Sequence, residues 1–87
     1  MQSLAEIRQT TKQLVLEILP EVSSEELSLE SDIFNLGLNS INAMNLLTKL
    51  QETFGIELTA DDITFENFQN VAGLVKLVEK KSSKQIK

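Results

Sequence analysis

Apolar residues recur at helical intervals in three stretches of the chain. In the first, Leu4, Ile7, Leu14 and Ile18 share one stripe, Thr11 fills the position between Ile7 and Leu14, and Val15 and Leu19 widen it. Ser3 stands three residues before Glu6, the spacing at which each side chain satisfies the other's orphan backbone N–H. Pro20 pushes the residue before it out of helical geometry. The pattern predicts a helix over residues 3–19.

In the second stretch Ala43, Leu46, Leu47, Leu50 and Phe54 form the expected core stripe, while Ile41, Met44 and Thr48 fall on a different, partly apolar face. Asn39 or Ser40 would cap this helix, and Gly55 followed by Ile56 fits a left-handed stop with an apolar residue just beyond. In the third, Asn70 is the expected cap. Val71, Leu74, Val75 and Val78 lie on one face, with Leu77 at its edge. Lys76, Lys80 and Lys81 near the expected end would suit the negative pole of the helix dipole.

Two connections remain. Residues 20–39 form a long loop that Leu27, Leu29, Ile33, Phe34, Leu36 and Leu38 could pin to the core, with a helical turn near residues 24–27. Residues 59–67, with apolar Ile63 and Phe65, suit a short helix or two turns. The expected fold is all-α: a small four-helix bundle of three main helices and one short helix, with the long loop between helices one and two. A chain of 87 residues allows one domain, expected over residues 1–81 and followed by a polar tail at 82–87 that frays.

Composition narrows the chemistry. The chain has neither Cys nor His, which removes thiol nucleophiles, disulfides, imidazole bases and the usual zinc ligands. Its net charge of −5 argues against nucleic acid and for partners with basic docking patches. Six acidic residues and no basic one fall between Glu17 and Asp32, a run expected to be solvated surface. No apolar run approaches a membrane span, and the first residues lack a signal pattern, so a cytoplasmic monomer is the default expectation.

The most informative segment runs from Asp32 to Met44: an apolar loop, Gly37, then Ser40 at the mouth of an amphipathic helix. Gly37 permits a tight approach or a positive φ. Ser40 would lie at the positive end of the helix dipole, where a phosphate is well accommodated. Asp32, Phe34, Leu36-Gly37, Leu38, Ser40 and Ile41 together resemble the attachment motif of the acyl and peptidyl carrier proteins. The likeness extends through Phe54-Gly55-Ile56 and the stretch from Thr64 to Val71, so it covers nearly the whole chain. One departure is Asn39, where the family usually has Asp. Asn also caps a helix, but it removes a negative charge beside the serine that a modifying transferase would meet.

The resemblance implies a carrier and not an enzyme. A phosphopantetheinyl transferase would place the 4'-phosphopantetheine of coenzyme A on Ser40, within the local motif of Gly37 and Asn39. The arm's thiol would hold acyl or aminoacyl groups as thioesters and present them to loading and condensing enzymes. Leu38, Ile41, Met44 and Ile63 would be the apolar part of the docking face. Helix two carries only Glu52 and Lys49 as charges, closer to polyketide and nonribosomal-peptide carriers than to the acidic fatty-acid type.

Three other readings compete. Asp32 to Ala43 has the length of a calcium loop, but Phe34, Leu36 and Ala43 stand where oxygen ligands are needed. A serine hydrolase lacks its His and its Gly-x-Ser-x-Gly elbow, and Lys49, the one candidate partner base, is expected to point to water. A helical protein–protein interaction module that never receives an arm would share the fold and charge but would not depend on Ser40.

Overall fold

The computed structural model describes the backbone of residues 3–85 and the side chains through Ser82. In chain order, α1 spans Leu4–Ile18, α2 Ser40–Phe54, α3 Phe65–Phe68 and α4 Val71–Gln85, with a single 3₁₀ turn at Ala60–Asp62 before α3. No strand occurs among the described residues, so the all-α expectation holds. α1 packs against both α4 and α2, and α3 packs against α4.

The caps explain where the helices begin and end. Ser3 and Glu6 close a reciprocal capping box at the start of α1, with N···O distances of 2.9 and 3.2 Å. Gly55 ends α2 in the left-handed conformation at φ +65°, and its N–H reaches the Gln51 carbonyl at 2.9 Å. Asn70 Oδ1 accepts the Gly73 N–H at 2.8 Å in the first turn of α4.

The stripes expected to be core are core except at helix ends, where Leu4 is 40 % exposed and Ile18 and Phe54 are half-buried. Val15, Leu46, Leu50, Val71, Leu74, Val78 and Phe68 lose essentially all their exposure. Leu77, expected at the edge of its stripe, is buried with them. α4 continues through Ser82 to Gln85, where a fraying tail was expected; residues 86–87 of that tail lie outside the described residues. Lys76, Lys80 and Lys81 therefore fall in the body of α4 and not in its last turn. Lys81 instead pairs with Asp62 at 3.3 Å, tying α4 to the 3₁₀ turn.

The long loop is held by backbone bonds as well as by apolar anchors. Ile33 N–H donates to the Gln69 carbonyl at 2.8 Å, and Ala72 N–H to the Leu29 carbonyl at 3.0 Å. Leu27, Ile33 and Leu38 are fully packed, while Phe34 and Leu36 are half-buried. Leu29, expected to help pin the loop, is 37 % exposed and contributes through its carbonyl. The segment around residues 24–27 forms a turn, closed by a second reciprocal pair between Ser23 and Glu26. The effect of this packing is to fix the approach to α2 from both sides.

Candidate functional site

The approach to α2 is built residue by residue. Asp32 Oδ1 accepts the N–H groups of Phe34 and Asn35 at 3.0 and 3.2 Å, which turns the chain. Leu36 N–H and Leu38 N–H then both reach back to the Ile33 carbonyl, at 3.2 and 3.0 Å. Gly37 adopts φ +120°, a value that side-chain-bearing residues rarely take. Space is not the constraint there, since an added Cβ would lie 3.8 Å from Leu19 Cδ2; the backbone angle is.

Asn39 is the cap of α2. Its backbone is extended and its Oδ1 accepts the Asn42 N–H at 2.9 Å, while its carbonyl accepts the Ala43 N–H at 2.8 Å. Ser40 is thus the first helical residue, released from capping and exposed. The first-turn N–H groups of Ser40 and Ile41 precede any intrahelical acceptor, and no acidic side chain lies in that turn. A phosphate ester on the Ser40 hydroxyl would meet a helix terminus with free donors and uncompensated positive potential. The residues present fit a phosphopantetheine group on that chemistry.

The residues expected to dock partners separate in the structure. Ile41 is 74 % exposed and Met44 48 % exposed on the outer face of α2. Leu38, expected both among the loop's core anchors and on the docking face, is only 5 % exposed and is an anchor alone, turned inward after Gly37. Ile63 is half-buried and packs against the core. Phe65, 60 % exposed, presents more apolar surface than either, and its ring stacks on Phe34. Lys49 stands at the solvent surface as expected, its side chain 41 % exposed, and there pairs with Glu17 of α1 at 3.2 Å.

A groove that sequence reasoning missed lies beside the site. It has a volume of about 270 Å³ and runs between the end of α1 and the loop before α2, with Glu21, Gly37 and Asn42 among its lining residues. Only the folding back of the long loop joins these positions, so no local pattern announces them. Among the described residues no helix is long and apolar enough to cross a membrane.

Comparison with known proteins agrees with this geometry. Residues 9–78 match the family described as phosphopantetheine attachment site. The chain is 31 % identical over 75 residues to an acyl carrier protein of Phytoplasma australiense, covering 77 % of this chain and 96 % of that one. It is 35 % identical over 72 residues to a D-alanyl carrier protein of Lactobacillus acidophilus, covering 79 % and 91 %. Among solved structures, the HMG-ACPI domain of the CurA module from Lyngbya majuscula superposes with a TM-score of 0.75 at 25 % identity, covering 95 % of this chain and 82 % of that one. The glycylated carrier protein bound to a glycine:[carrier protein] ligase of Bradyrhizobium japonicum shares the fold, with a TM-score of 0.70 at 21 % identity over 82 % of this chain and 96 % of that one. The chain belongs to the phosphopantetheine-attachment family and is a non-catalytic carrier protein domain with a covalently attached 4'-phosphopantetheine.

Proposed function

We propose that Ser40 is the attachment residue, and that the protein carries acyl or aminoacyl intermediates of the polyketide or nonribosomal-peptide type in preference to housekeeping fatty-acid synthesis. The observation that carries the assignment is the division of labour at the start of α2. Asn39 performs the capping, so the Ser40 hydroxyl is exposed at a helix terminus with free N–H donors. The attached thiol supplies the thioester chemistry; the chain's own residues position and present it. Gly37 and Asn39 shape the turn that holds Ser40 outward.

The choice of pathway class rests on α2. Its exposed residues include Ile41, Met44, Asn45 and Thr48, and its charges are Lys49, paired with Glu17, and Glu52. Such a face recognises partners through shape and apolar contact more than through charge steering. Ile41 and Met44, with the half-buried Ile63 at the margin, would meet a phosphopantetheinyl transferase, then loading and condensing enzymes. The protein would do this as a cytoplasmic monomer.

Intact mass after incubation with coenzyme A and a broad-specificity transferase tests the assignment. A gain of one phosphopantetheine, absent from Ser40→Ala, is expected. A gain that persists in Ser40→Ala would place the attachment on another hydroxyl and overturn the assignment.

A further inference from the structure

The groove beside Ser40 has a wall of mixed character. Leu19, Val22 and Leu36 supply apolar surface, while Glu21 and Asn42 interrupt it with a carboxylate and an amide. Its volume of about 270 Å³ is modest, and the polar interruptions make it a poor bed for a long alkyl chain, which would desolvate the carboxylate without compensation.

Its electrostatics are one-sided. The groove lies against the C-terminal end of α1, where unpaired carbonyls concentrate negative potential. The last turn of α1 holds no basic residue to offset it. Glu21, just beyond Pro20, adds a full negative charge and makes no ion pair among the described residues. Lys49, which reaches the last turn of α1, is already engaged there by Glu17. Asn42 Nδ2 reaches the Gly37 carbonyl at 3.4 Å, which leaves its Oδ1 free to accept an N–H. Ser40 does not line the groove, but Gly37 precedes it by three residues and Asn42 follows it by two, so both lining residues lie within the reach of a flexible arm attached there.

We propose that this groove receives the cargo end of the arm and selects aminoacyl over neutral or anionic acyl groups, the cargo ammonium resting against the Glu21 carboxylate and the carbonyl end of α1. The proposal rests on Ser40 being the attachment residue. A glycyl or alanyl thioester keeps a free ammonium and a side chain small enough for the groove. A malonyl group of similar size would be repelled by Glu21, and an acetyl or propionyl group would gain nothing from it.

The test loads the full chain with glycyl, propionyl or malonyl arms, using coenzyme A analogues in which an amide replaces the labile thioester. Intact mass first confirms loading at Ser40. Amide shifts in ¹H–¹⁵N spectra then report contact with the groove. The glycyl arm is expected to shift Leu19, Glu21, Val22, Leu36, Gly37 and the Asn42 side chain beyond the propionyl arm, and the malonyl arm to shift them least. Glu21→Gln is expected to lower occupancy by the glycyl arm roughly twofold to fivefold, as for a solvent-exposed ion pair, and added salt to act in the same direction. Identical shifts from the glycyl and propionyl arms, or a glycyl pattern untouched by Glu21→Gln, would overturn the proposal while leaving Ser40 as the attachment residue. Absence of loading at Ser40 would overturn both.

Discussion

The rings of Phe34 and Phe65 stack with centroids 5.4 Å apart and planes inclined by 17°. The pair joins the loop that precedes Ser40 to the first residue of α3, two segments far apart in sequence. Phe34 is half-buried against the core, and Phe65 covers it from outside. Such pairs contribute about 0.5–1.5 kcal/mol beyond the area they bury.

Phe65→Ala is therefore expected to cost about 1 kcal/mol of global stability and to loosen the loop more than the helices. Hydrogen exchange resolves the two effects. The Ile33 and Leu38 amides, which bond to Gln69 and Ile33, should lose more protection than Leu50 in the middle of α2. Equal loss across both sets would mean that the stack orders nothing locally.

Much of this arrangement is legible in the sequence, and the gaps have physical causes. Helix positions follow from period and caps because both are local: Ser3 with Glu6, Asn39 before α2 and Gly55 after it do what their types favour. Ser40 stands out because its motif is contiguous. Leu38 fits both a core anchor and the docking face in the sequence; which it is depends on the backbone at Gly37, whose positive φ the residue type permits but does not dictate. The end of α4 was set too early because Ser82 and Ser83 resemble a stop, whereas a helix already nucleated on a buried face continues through polar residues. The groove and the Phe34–Phe65 stack are long-range, and no periodicity encodes them.

Gly73 illustrates a constraint that helix propensity would misjudge. A Cβ there would lie 2.9 Å from the carbonyl oxygens of both Glu66 and Asn67, so α4 can approach α3 this closely only through glycine. Alanine is favoured over glycine in a helix by about 1 kcal/mol. Gly73→Ala is nonetheless expected to destabilise by about 1–3 kcal/mol, the range for overpacking. Chemical denaturation should show a lower midpoint. A raised midpoint would mean that α3 shifts away at no cost.

Among the described residues Thr11 is the one buried polar residue of the core, and its Oγ1 finds no hydrogen-bond partner there. An unsatisfied buried hydroxyl costs roughly 1–3 kcal/mol. Thr11→Val keeps the branched shape and removes that cost, so it is expected to stabilise by about 1 kcal/mol and to raise Tm by about 4–8 °C for a domain of this size. A lower Tm would mean that the hydroxyl is satisfied in solution, for instance by water.

The Asp62–Lys81 pair gives the fold a pH dependence of known sign. The Thr59 N–H donates to Asp62 Oδ2 at 2.9 Å, and the Lys81 ammonium lies 3.3 Å from Oδ1. The hydrogen bond first, and the lysine after it, hold the Asp62 carboxyl below the usual carboxylate range against the opposing effect of burial. A carboxyl whose folded pKa is depressed stabilises the fold above its unfolded value, near pH 4, and loses that contribution as pH falls through the lower, folded value. Asp62→Asn should therefore be less stable than the native chain at pH 7, by about 0.5–1 kcal/mol, and the difference should shrink progressively below about pH 4. Denaturation midpoints for both proteins between pH 7 and pH 2.5 provide the comparison. A gap that stays constant across that range would show that Asp62 acts through its shape and hydrogen bond alone, with no contribution from its charge.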